Sequence, residues 1–363
     1  MLLYLFIILI MVILTITKLE GIDKEKKFIF GMFVLWFMAT VRSIYIGNDT
    51  IAYYEIWDDI SSNHNYSALI GRFERGYLWL NNIIGYFTQN FHVFLGIVNF
   101  IIYYSYYRFI KTYSENSMLS LIIFFLLGTW GQTLNTIRLQ LAVSMFLNAY
   151  YYKNHNKKIR VAICVLLAIL FQRISVVYIT GLFLPKKVKG KIYIFIASIG
   201  ALFFIFLPQI ILMVVQIVPY FSTYLNSDIY ILGEVKMAVV LQLLMELMVF
   251  LCAFKIYKYK YHCKRFTKEV KENFAIQINM IFVSIMVMFL SLRFNLLDRC
   301  SYFFWDFVIL LLPNMVWALS LKSNKTILKG AIIAGCVAYF AVINIFRPNW
   351  NHIYPYMTFF SDL

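Results

Sequence analysis

Arginine placement is the feature of this sequence that most clearly indicates chemistry. Of the 33 lysines and arginines, 24 lie in alternate loops between apolar segments, and 21 of these 24 are lysine. The other nine lie toward the opposite ends of the segments, and eight of the nine are arginine (Arg42, Arg72, Arg75, Arg138, Arg173, Lys236, Arg293, Arg299 and Arg347). A guanidinium grips phosphate oxygens through two parallel hydrogen bonds, whereas an ammonium acts as a point charge. The pattern predicts an anionic ligand at the arginine side. The alternative is that these arginines pair with nearby carboxylates and hold helices together.

The first arginine-side loop combines Arg42 with a turn-forming sequence, GNDT, at residues 47–50. Asp49 and Thr50 suit the start of a helix, since short polar side chains cap exposed backbone amides there. Asp49 is therefore either a helix cap or a carboxylate that accepts the proton of a ligand hydroxyl. The sequence does not decide between these two roles.

A second group of polar residues follows at RFERGYLWL, residues 72–80. Glu74 lies between Arg72 and Arg75, and nearby positive charge keeps a carboxylate ionised. This favours electrostatic positioning of a ligand over proton transfer. Tyr77 is a candidate binding residue, although aromatic side chains also form the ordinary belt at a membrane surface.

Two further segments place an arginine near the end of an apolar run. Asn135 and Arg138 are three residues apart and share a helix face, with Gln140 close by. An arginine about one turn inside a membrane helix is costly and by default indicates a functional site. Gln172 and Arg173 lie at the turn between two short apolar segments on the same side and extend this set.

The last candidate segment is LSLRFNLLDRCSYFF, which supplies Arg293, Asp298, Arg299 and Tyr302. Asp298 next to Arg299 is either a pair at a helix start or part of the site. Signatures of soluble enzymes, such as a phosphate-binding glycine loop, are absent from the sequence. The scattered histidines and cysteines predict no metal site and no cofactor.

Composition indicates the elements that must position these residues. The chain has 363 residues, of which 62% are hydrophobic and 14% charged, too few charges for a soluble domain. We predict an all-α, polytopic transmembrane bundle that forms one integral membrane domain over residues 1–363, with about 11–13 membrane-embedded helices. The predicted spans are 2–17, 28–45, 91–109, 117–131, 134–152, 159–172, 174–185, 191–217, 236–256, 274–292, 300–320 and 328–346. Residues 46–90 are predicted to form an outer loop with an amphipathic helix at 74–90, which is either interfacial or an extra span.

The lysine-rich loops predict the orientation, because basic loops mark the cytoplasmic side of a membrane. Both termini are then outside. The net charge of +16 resides mostly in these short loops, which indicates contact with membrane lipid rather than nucleic acid.

At the arginine-side segments the chain resembles the EpsG family, the Wzy-like polymerases of bacterial exopolysaccharide and capsule synthesis. The likeness runs over most of the chain and rests on Arg42 with GNDTIAYY (47–54), ERGY (74–77), NTIRLQLA (135–142), ILFQRIS (169–175) and DRCSYFF (298–304). The family commonly has Phe-His before a serine in the sixth span. Here Phe171 is followed by Gln172 and Arg173, so a histidine base is not available at that place.

The resemblance implies a metal-independent glycosyltransferase in the bacterial cytoplasmic membrane that polymerises oligosaccharide repeat units carried on undecaprenyl pyrophosphate. A GT-C-like arrangement is one form that such a bundle could take. The chain-length regulator and the flippase of the same pathway are further partner candidates. The candidate catalytic residues are Asp49, Arg138, Arg173 and Asp298, with Asp49 preferred over Asp298 as the base. The candidate substrate-binding residues are Arg42, Glu74, Arg75, Tyr77, Asn135, Gln140, Gln172, Arg293, Arg299 and Tyr302.

Two other functions remain open from the sequence. A flippase or exporter of the same lipid-linked glycan needs charged residues along a path through both halves of the membrane, whereas these arginines cluster at one face. A membrane glycan ligase or acyltransferase is the other alternative. An acyltransferase is expected to carry a membrane histidine, and the predicted spans offer only His92 at an edge.

Overall fold

The protein is helical wherever the structure describes it. The structure, a computed structural model, describes residue 7 and residues 23–63, 66–217, 235–260, 266–347 and 350–361. Within these ranges every regular element is a helix, and paired extended backbone is limited to two isolated bridges. The all-helical class predicted from composition is confirmed. The predicted span 2–17 lies outside the described residues, apart from residue 7.

Fifteen α-helices lie in the described ranges. In chain order they are α1 (Lys24–Val41), α2 (Thr50–Asn63), α3 (Arg75–Gly85), α4 (Phe91–Tyr113), α5 (Ser117–Leu126), α6 (Thr129–Asn135), α7 (Ile137–Asn154), α8 (Lys158–Phe171), α9 (Ile179–Leu182), α10 (Gly190–Ile217), α11 (Met237–Lys260), α12 (Lys268–Ser291), α13 (Tyr302–Trp305), α14 (Val308–Ala318) and α15 (Lys322–Phe346). Short 3₁₀ helices precede α9 and α13, at Arg173–Tyr178 and Asn295–Ser301.

Five of these helices contain a stretch long and apolar enough to cross a membrane: Phe91–Tyr113, Gly190–Met213, Met237–Tyr259, Lys268–Ser291 and Lys322–Phe346. Two bent helix pairs bring the number in the described ranges to seven if each pair forms one span. The total of 11–13 membrane-embedded helices stays a prediction.

The bent pairs differ from the continuous spans that the sequence predicted. The axis turns by 55° between α5 and α6, and by 46° between Asn295–Trp305 and α14. The predicted span 117–131 is therefore two helices, since α5 ends at Leu126 and Gly128, with a φ of 86°, precedes α6. A new helix, α7, then begins at Ile137.

The chain groups into two compact units. The first is Met1–Leu182 with Leu319–Leu363, and the second is Phe183–Ala318. The first unit is built around α5, whose residues 118–126 are all buried, as expected for a helix that is apolar on every side. On α15, Phe340 packs against this helix with its ring centroid 5.3 Å from that of Phe125.

In the second unit α12 is the most buried of the long helices. Its Asn279 side chain donates to the Pro185 carbonyl at 2.7 Å and accepts from the Tyr193 hydroxyl. The Glu246 carboxylate, buried on α11, accepts a hydrogen bond from Gln242 at 3.0 Å. The Glu246 contact lies within α11, whereas the Asn279 contact with Tyr193 joins α12 to α10, and such interhelical polar contacts hold helices together where lipid offers no hydrogen bonds.

The segment predicted as an outer loop, residues 46–90, forms two helices, α2 and α3. Tyr77 and Leu78 on α3 are fully buried, whereas Trp79 and Ile83 are more than half exposed. Apolar side chains on the exposed face are compatible with the predicted interfacial position, which stays a prediction. The start of α3 lies directly against α8, because a Cβ on Gly76 would be only 2.7 Å from the Leu170 carbonyl oxygen.

We expect Gly76→Ala to lower the stability of the protein. The added methyl group would collide with backbone atoms of α8 and force the helices apart, at a cost of about 1–3 kcal/mol, typical of overpacking. The matched control is Gly330→Ala on α15, where nothing lies within 4 Å of the new Cβ. The thermal unfolding midpoint of the protein in detergent should fall for the first variant only. Equal midpoints would contradict the close approach of α3 and α8.

Candidate functional site

The first unit contains a buried carboxylate that is held from two directions. Glu74 is 7% exposed, and its Oε2 accepts a hydrogen bond from Nη1 of Arg138 at 2.6 Å. Its Oε1 accepts from the backbone N–H of Arg173 at 3.3 Å. Although Glu74 is the N-cap residue of α3, its side chain does not cap that helix. The carboxylate instead connects the starts of α3, α7 and the 3₁₀ helix that follows α8.

Aromatic rings enclose the Arg138 guanidinium on the sides that Glu74 leaves open. Its Cζ lies 4.8 Å from the ring centroid of Phe73 and about 6 Å from those of Tyr53 and Tyr77. Cation–π contacts of this geometry stabilise a desolvated guanidinium. The Nε of Arg138 is buried without a hydrogen-bond partner. The guanidinium is thus fixed in position and still has a donor to offer.

The turn at residues 47–50 packs against the end of α6. The backbone N–H of Asp49 donates to Oδ1 of Asn135 at 3.1 Å, and the Thr50 hydroxyl lies 3.3 Å from the Leu134 carbonyl. Gly47 has a φ of 91°, and a Cβ there would be 2.7 Å from the Leu134 carbonyl oxygen. Only glycine combines this backbone conformation with so close an approach. The turn therefore places the half-buried Asp49 beside Asn135.

The first turn of α2 runs alongside the junction of α6 and α7. Asp49 contacts Asn135, and Tyr53, one turn later on α2, lies over Arg138, one turn after Asn135. Five side chains contributed by distant segments therefore lie within one neighbourhood. We refer to Asp49, Tyr53, Glu74, Asn135 and Arg138 as the Glu74 cluster.

Arg42 lies at the end of α1 and is completely buried. Its Nη1 donates to the Ala39 carbonyl at 2.8 Å, but its Nε and Nη2 have no hydrogen-bond partner. The Tyr53 hydroxyl interacts electrostatically with both Arg42 and Arg138. Tyr53 is therefore near both guanidinium groups, while a common anionic ligand for the two arginines stays a prediction.

Other predicted residues of the first unit have different surroundings. Tyr77 is fully buried, with its ring edge-on to Tyr53 at 5.7 Å, so its ring supports the cluster rather than facing a ligand. Burial raises the pKa of its phenol, which therefore stays neutral. Gln140 points to the interior and accepts a hydrogen bond from Tyr106 at 3.0 Å. The side chain of Arg75 is exposed.

The segment at Gln172 and Arg173 contributes backbone rather than guanidinium to the cluster. The Gln172 N–H closes α8 by donating to the Ala168 carbonyl at 2.9 Å. Arg173 reaches Glu74 through its own N–H, and its side chain is exposed. Glu74 is thus held by the guanidinium of Arg138 and the backbone N–H of Arg173.

Four predicted residues belong to the second unit. Arg293 donates from Nη1 to the Ile205 carbonyl at 3.4 Å and lies 5.0 Å from the Phe204 ring, so it contacts α10. Asp298 and Arg299 lie in the 3₁₀ helix Asn295–Ser301, and Tyr302 begins α13. That Arg299 binds the same anionic ligand as the arginines of the first unit stays a prediction.

Residues of the first unit that sequence reasoning did not select complete the surroundings of Arg42. Tyr103 and Tyr356 interact electrostatically with its guanidinium, and the Tyr103 hydroxyl lies 2.9 Å from that of Thr133. Tyrosines are so frequent in this chain that composition did not single these two out. Across the described ranges no group of three or more His, Cys, Asp or Glu residues could hold a metal ion.

We expect Glu74→Gln to destabilise the protein by about 3 kcal/mol, because it leaves the Arg138 charge in a buried site without its partner. Glu25→Gln is the matched control, since Glu25 pairs with Lys111 where both side chains are about half exposed. Loss of such an exposed pair costs far less, because solvent screens the two charges. Unfolding midpoints in detergent measure both. Equal effects would show that the Glu74–Arg138 pair is no stronger than a surface pair.

Comparison with known proteins gives one result that spans the chain. The model of the EpsG family matches residues 25–358, nearly the whole length. No curated protein and no solved structure matches. The matched range includes the Glu74 cluster and Arg42 as well as the candidate residues of the second unit. The chain belongs to the EpsG family.

Proposed function

We propose that this protein is an oligosaccharide repeat-unit polymerase that joins glycans carried on undecaprenyl pyrophosphate. It acts on the outer face of the bacterial cytoplasmic membrane during capsule or exopolysaccharide synthesis. The observation that carries the proposal is the family match over residues 25–358. The Glu74 cluster supports it, because it combines a fixed guanidinium with a nearby carboxylate on helix ends.

The reaction exchanges one bond to the anomeric carbon for another. The hydroxyl oxygen of the acceptor sugar attacks the anomeric carbon of the donor chain. The bond from that carbon to the phosphate oxygen breaks, and lipid pyrophosphate leaves with the bonding electrons. The hydroxyl proton passes to a carboxylate of the protein. The protein must therefore stabilise negative charge on the leaving group and accept one proton.

Arg138 is the residue that we assign to the leaving pyrophosphate. Glu74 and the surrounding rings hold its guanidinium in place before the reaction, so little reorganisation is needed as charge develops. The Arg138 side chain is 17% exposed, and we assign its exposed part to contact with a phosphate oxygen. Glu74 acts as a positioning residue, since both of its oxygens are already engaged.

Asp49 is the carboxylate that we assign to proton transfer. Its backbone is fixed by Asn135, and its side chain is only half buried, so a substrate hydroxyl can reach it. A general base has to lie within hydrogen-bond reach of the proton it removes. Asp298 is the second choice and belongs to the other unit. We also assign Asn135, which lies beside Asp49, to contact with the sugar.

The first test is Asp49→Asn in a strain that lacks the chromosomal copy. We expect chain extension to slow by about 100-fold or more, because a carboxamide cannot accept the proton. The contact from the Asp49 N–H to Asn135 is unchanged. Asp59→Asn is the control, since Asp59 is exposed on α2, which begins directly after Asp49, and its Oδ1 accepts a hydrogen bond from Asn63 at 3.2 Å.

Gel analysis of glycan length, with protein levels measured in parallel, provides the readout. Single repeat units should accumulate outside the cell membrane in the deletion strain and in Asp49→Asn. Accumulation inside would identify a flippase instead, and accumulation of full-length polymer would identify a ligase. Normal chain length in Asp49→Asn would remove Asp49 from the mechanism.

The second test compares Arg138→Lys with Arg173→Lys, which both keep the charge and lose the planar fork. Arg138→Lys should slow chain extension by about 100-fold to 1,000-fold, the cost of removing a preorganised donor. Arg173→Lys should have a much smaller effect, because its contact with Glu74 comes from the backbone. Glycan length distributions at matched expression measure both. Equal losses would show that the Arg173 guanidinium also acts on the substrate.

A further inference from the structure

An apolar groove runs along the first unit between α1 and α4. Its volume is about 520 Å³, and all of its lining side chains are aliphatic or aromatic, among them Met32, Phe33, Trp36, Phe100 and Tyr103. Phe33 and Phe100 are more than half exposed, so the groove is open along one side. In a bilayer, an elongated apolar groove of this size suits a hydrocarbon chain rather than a sugar.

The two helices that flank the groove carry different charges at their two ends, beyond the residues that line it. At one end Lys111 of α4 is paired with Glu25 of α1, so the two charges neutralise each other. At the other end α1 finishes at Arg42, whose backbone carbonyl contacts His92 at the start of α4. No carboxylate of the described residues forms an ion pair with Arg42. The Arg42 end therefore has the stronger requirement for an anion.

Because Arg42 is buried, the lack of a bound anion beside it costs free energy. A charged side chain in an apolar interior costs several kcal/mol unless it is paired, and two of the three guanidinium nitrogens of Arg42 have no partner. A phosphate group matches both the charge and the planar arrangement of donors. Tyr103 connects the two features, since it lines the groove and also interacts electrostatically with Arg42.

Residues 350–361 cover Arg42 from the other side. Thr358 forms an isolated bridge with the Arg42 backbone, and the Ser43 N–H donates to the Met357 carbonyl at 3.0 Å. The Tyr356 hydroxyl donates to the Met38 carbonyl. These contacts are local hydrogen bonds at the end of α1, and because Arg42 is completely buried, a ligand would reach it only if this segment moved.

We propose that the groove and Arg42 form one site for a lipid pyrophosphate, with the hydrocarbon chain between α1 and α4 and the phosphate at the Arg42 guanidinium. The inference rests on the proposed function and adds a second phosphate subsite to that of Arg138. A reaction between two lipid-linked chains needs two such subsites, one for the donor and one for the acceptor. Arg42 and Arg138 supply them, and the Tyr53 ring lies against the Arg138 guanidinium.

Binding measured on the purified protein in detergent tests the site without polymerisation. The probes are farnesyl pyrophosphate, inorganic pyrophosphate and farnesol. Farnesyl pyrophosphate should bind most tightly because it occupies both parts of the site. Arg42→Lys should weaken both pyrophosphates by on the order of tenfold, the loss of one charge-assisted hydrogen bond. Ile29→Trp, which narrows the groove, should weaken farnesyl pyrophosphate and leave inorganic pyrophosphate unchanged.

Each variant has a matched control. Ile97→Trp makes the same change in size on α4 at a residue that is similarly exposed but does not line the groove, 41% against 46% for Ile29. Arg160→Lys changes an exposed arginine at the start of α8. Neither control should change the affinity for farnesyl pyrophosphate. If Arg42→Lys does not fold, the selective effect of Ile29→Trp still decides whether the groove holds the chain.

Two outcomes would overturn the inference. One is equal affinity for farnesyl pyrophosphate in the wild type, Arg42→Lys and Ile29→Trp. The other is displacement of the probe by phosphatidylglycerol, together with loss of binding in Lys24→Gln. This result would show that the groove binds an ordinary phospholipid whose headgroup lies at the lysine end of α1. Selective binding in a protein whose deletion leaves glycan length normal would refute the polymerase function and keep the lipid site. Shortened glycans in the deletion strain, together with no selective binding by the purified protein, would support the polymerase function and refute the lipid site.

Discussion

The structure of the first unit depends on how a guanidinium is kept inside an apolar bundle. Arg138 lies in the first turn of α7 and remains charged at any physiological pH. Its hydrogen-bonded ion pair with Glu74, at 2.6 Å, offsets the free energy that burying the charge would cost. The pair also connects two segments that are 64 residues apart. Aromatic rings complete the enclosure. The position of α3 against α8 and the conformation of the turn before α2 are both required for this pair to form among those rings.

The sequence was sufficient to predict the class of fold and much of the composition of the cluster. Long apolar runs with few charges leave helices as the regular element that spans lipid, and the described residues are helical. The spacing of Asn135 and Arg138 predicted that they share one helix face, which is wrong, because the helix breaks at Thr136 and places them on α6 and α7. Both nevertheless belong to the cluster. Breaks such as the one at Gly128 were not predicted, because hydrophobicity does not change where the helix axis bends.

The partner of Glu74 was also not predictable from neighbouring positions. Arg72 and Arg75 flank it in the sequence, yet both are exposed, and Arg138 forms the ion pair. Charge pairing across a fold depends on which helices pack together, which a local pattern does not contain. For the same reason the exposed Arg173 side chain and the interior Gln140 could not be told apart from cluster residues by type and position. The tyrosines near Arg42 were hidden by the abundance of tyrosine in the chain.

The order of the two units along the chain has a consequence for how the protein is made. The first unit consists of Met1–Leu182 and Leu319–Leu363, with the second unit between them in sequence. Residues 350–361, which cover Arg42, are therefore synthesised only after the whole second unit has left the ribosome. Until then the end of α1 has to wait in the membrane with its guanidinium uncovered. Assembly of this region is consequently a late, post-insertion event, in which the nascent chain returns to the helix that it produced near the beginning of synthesis.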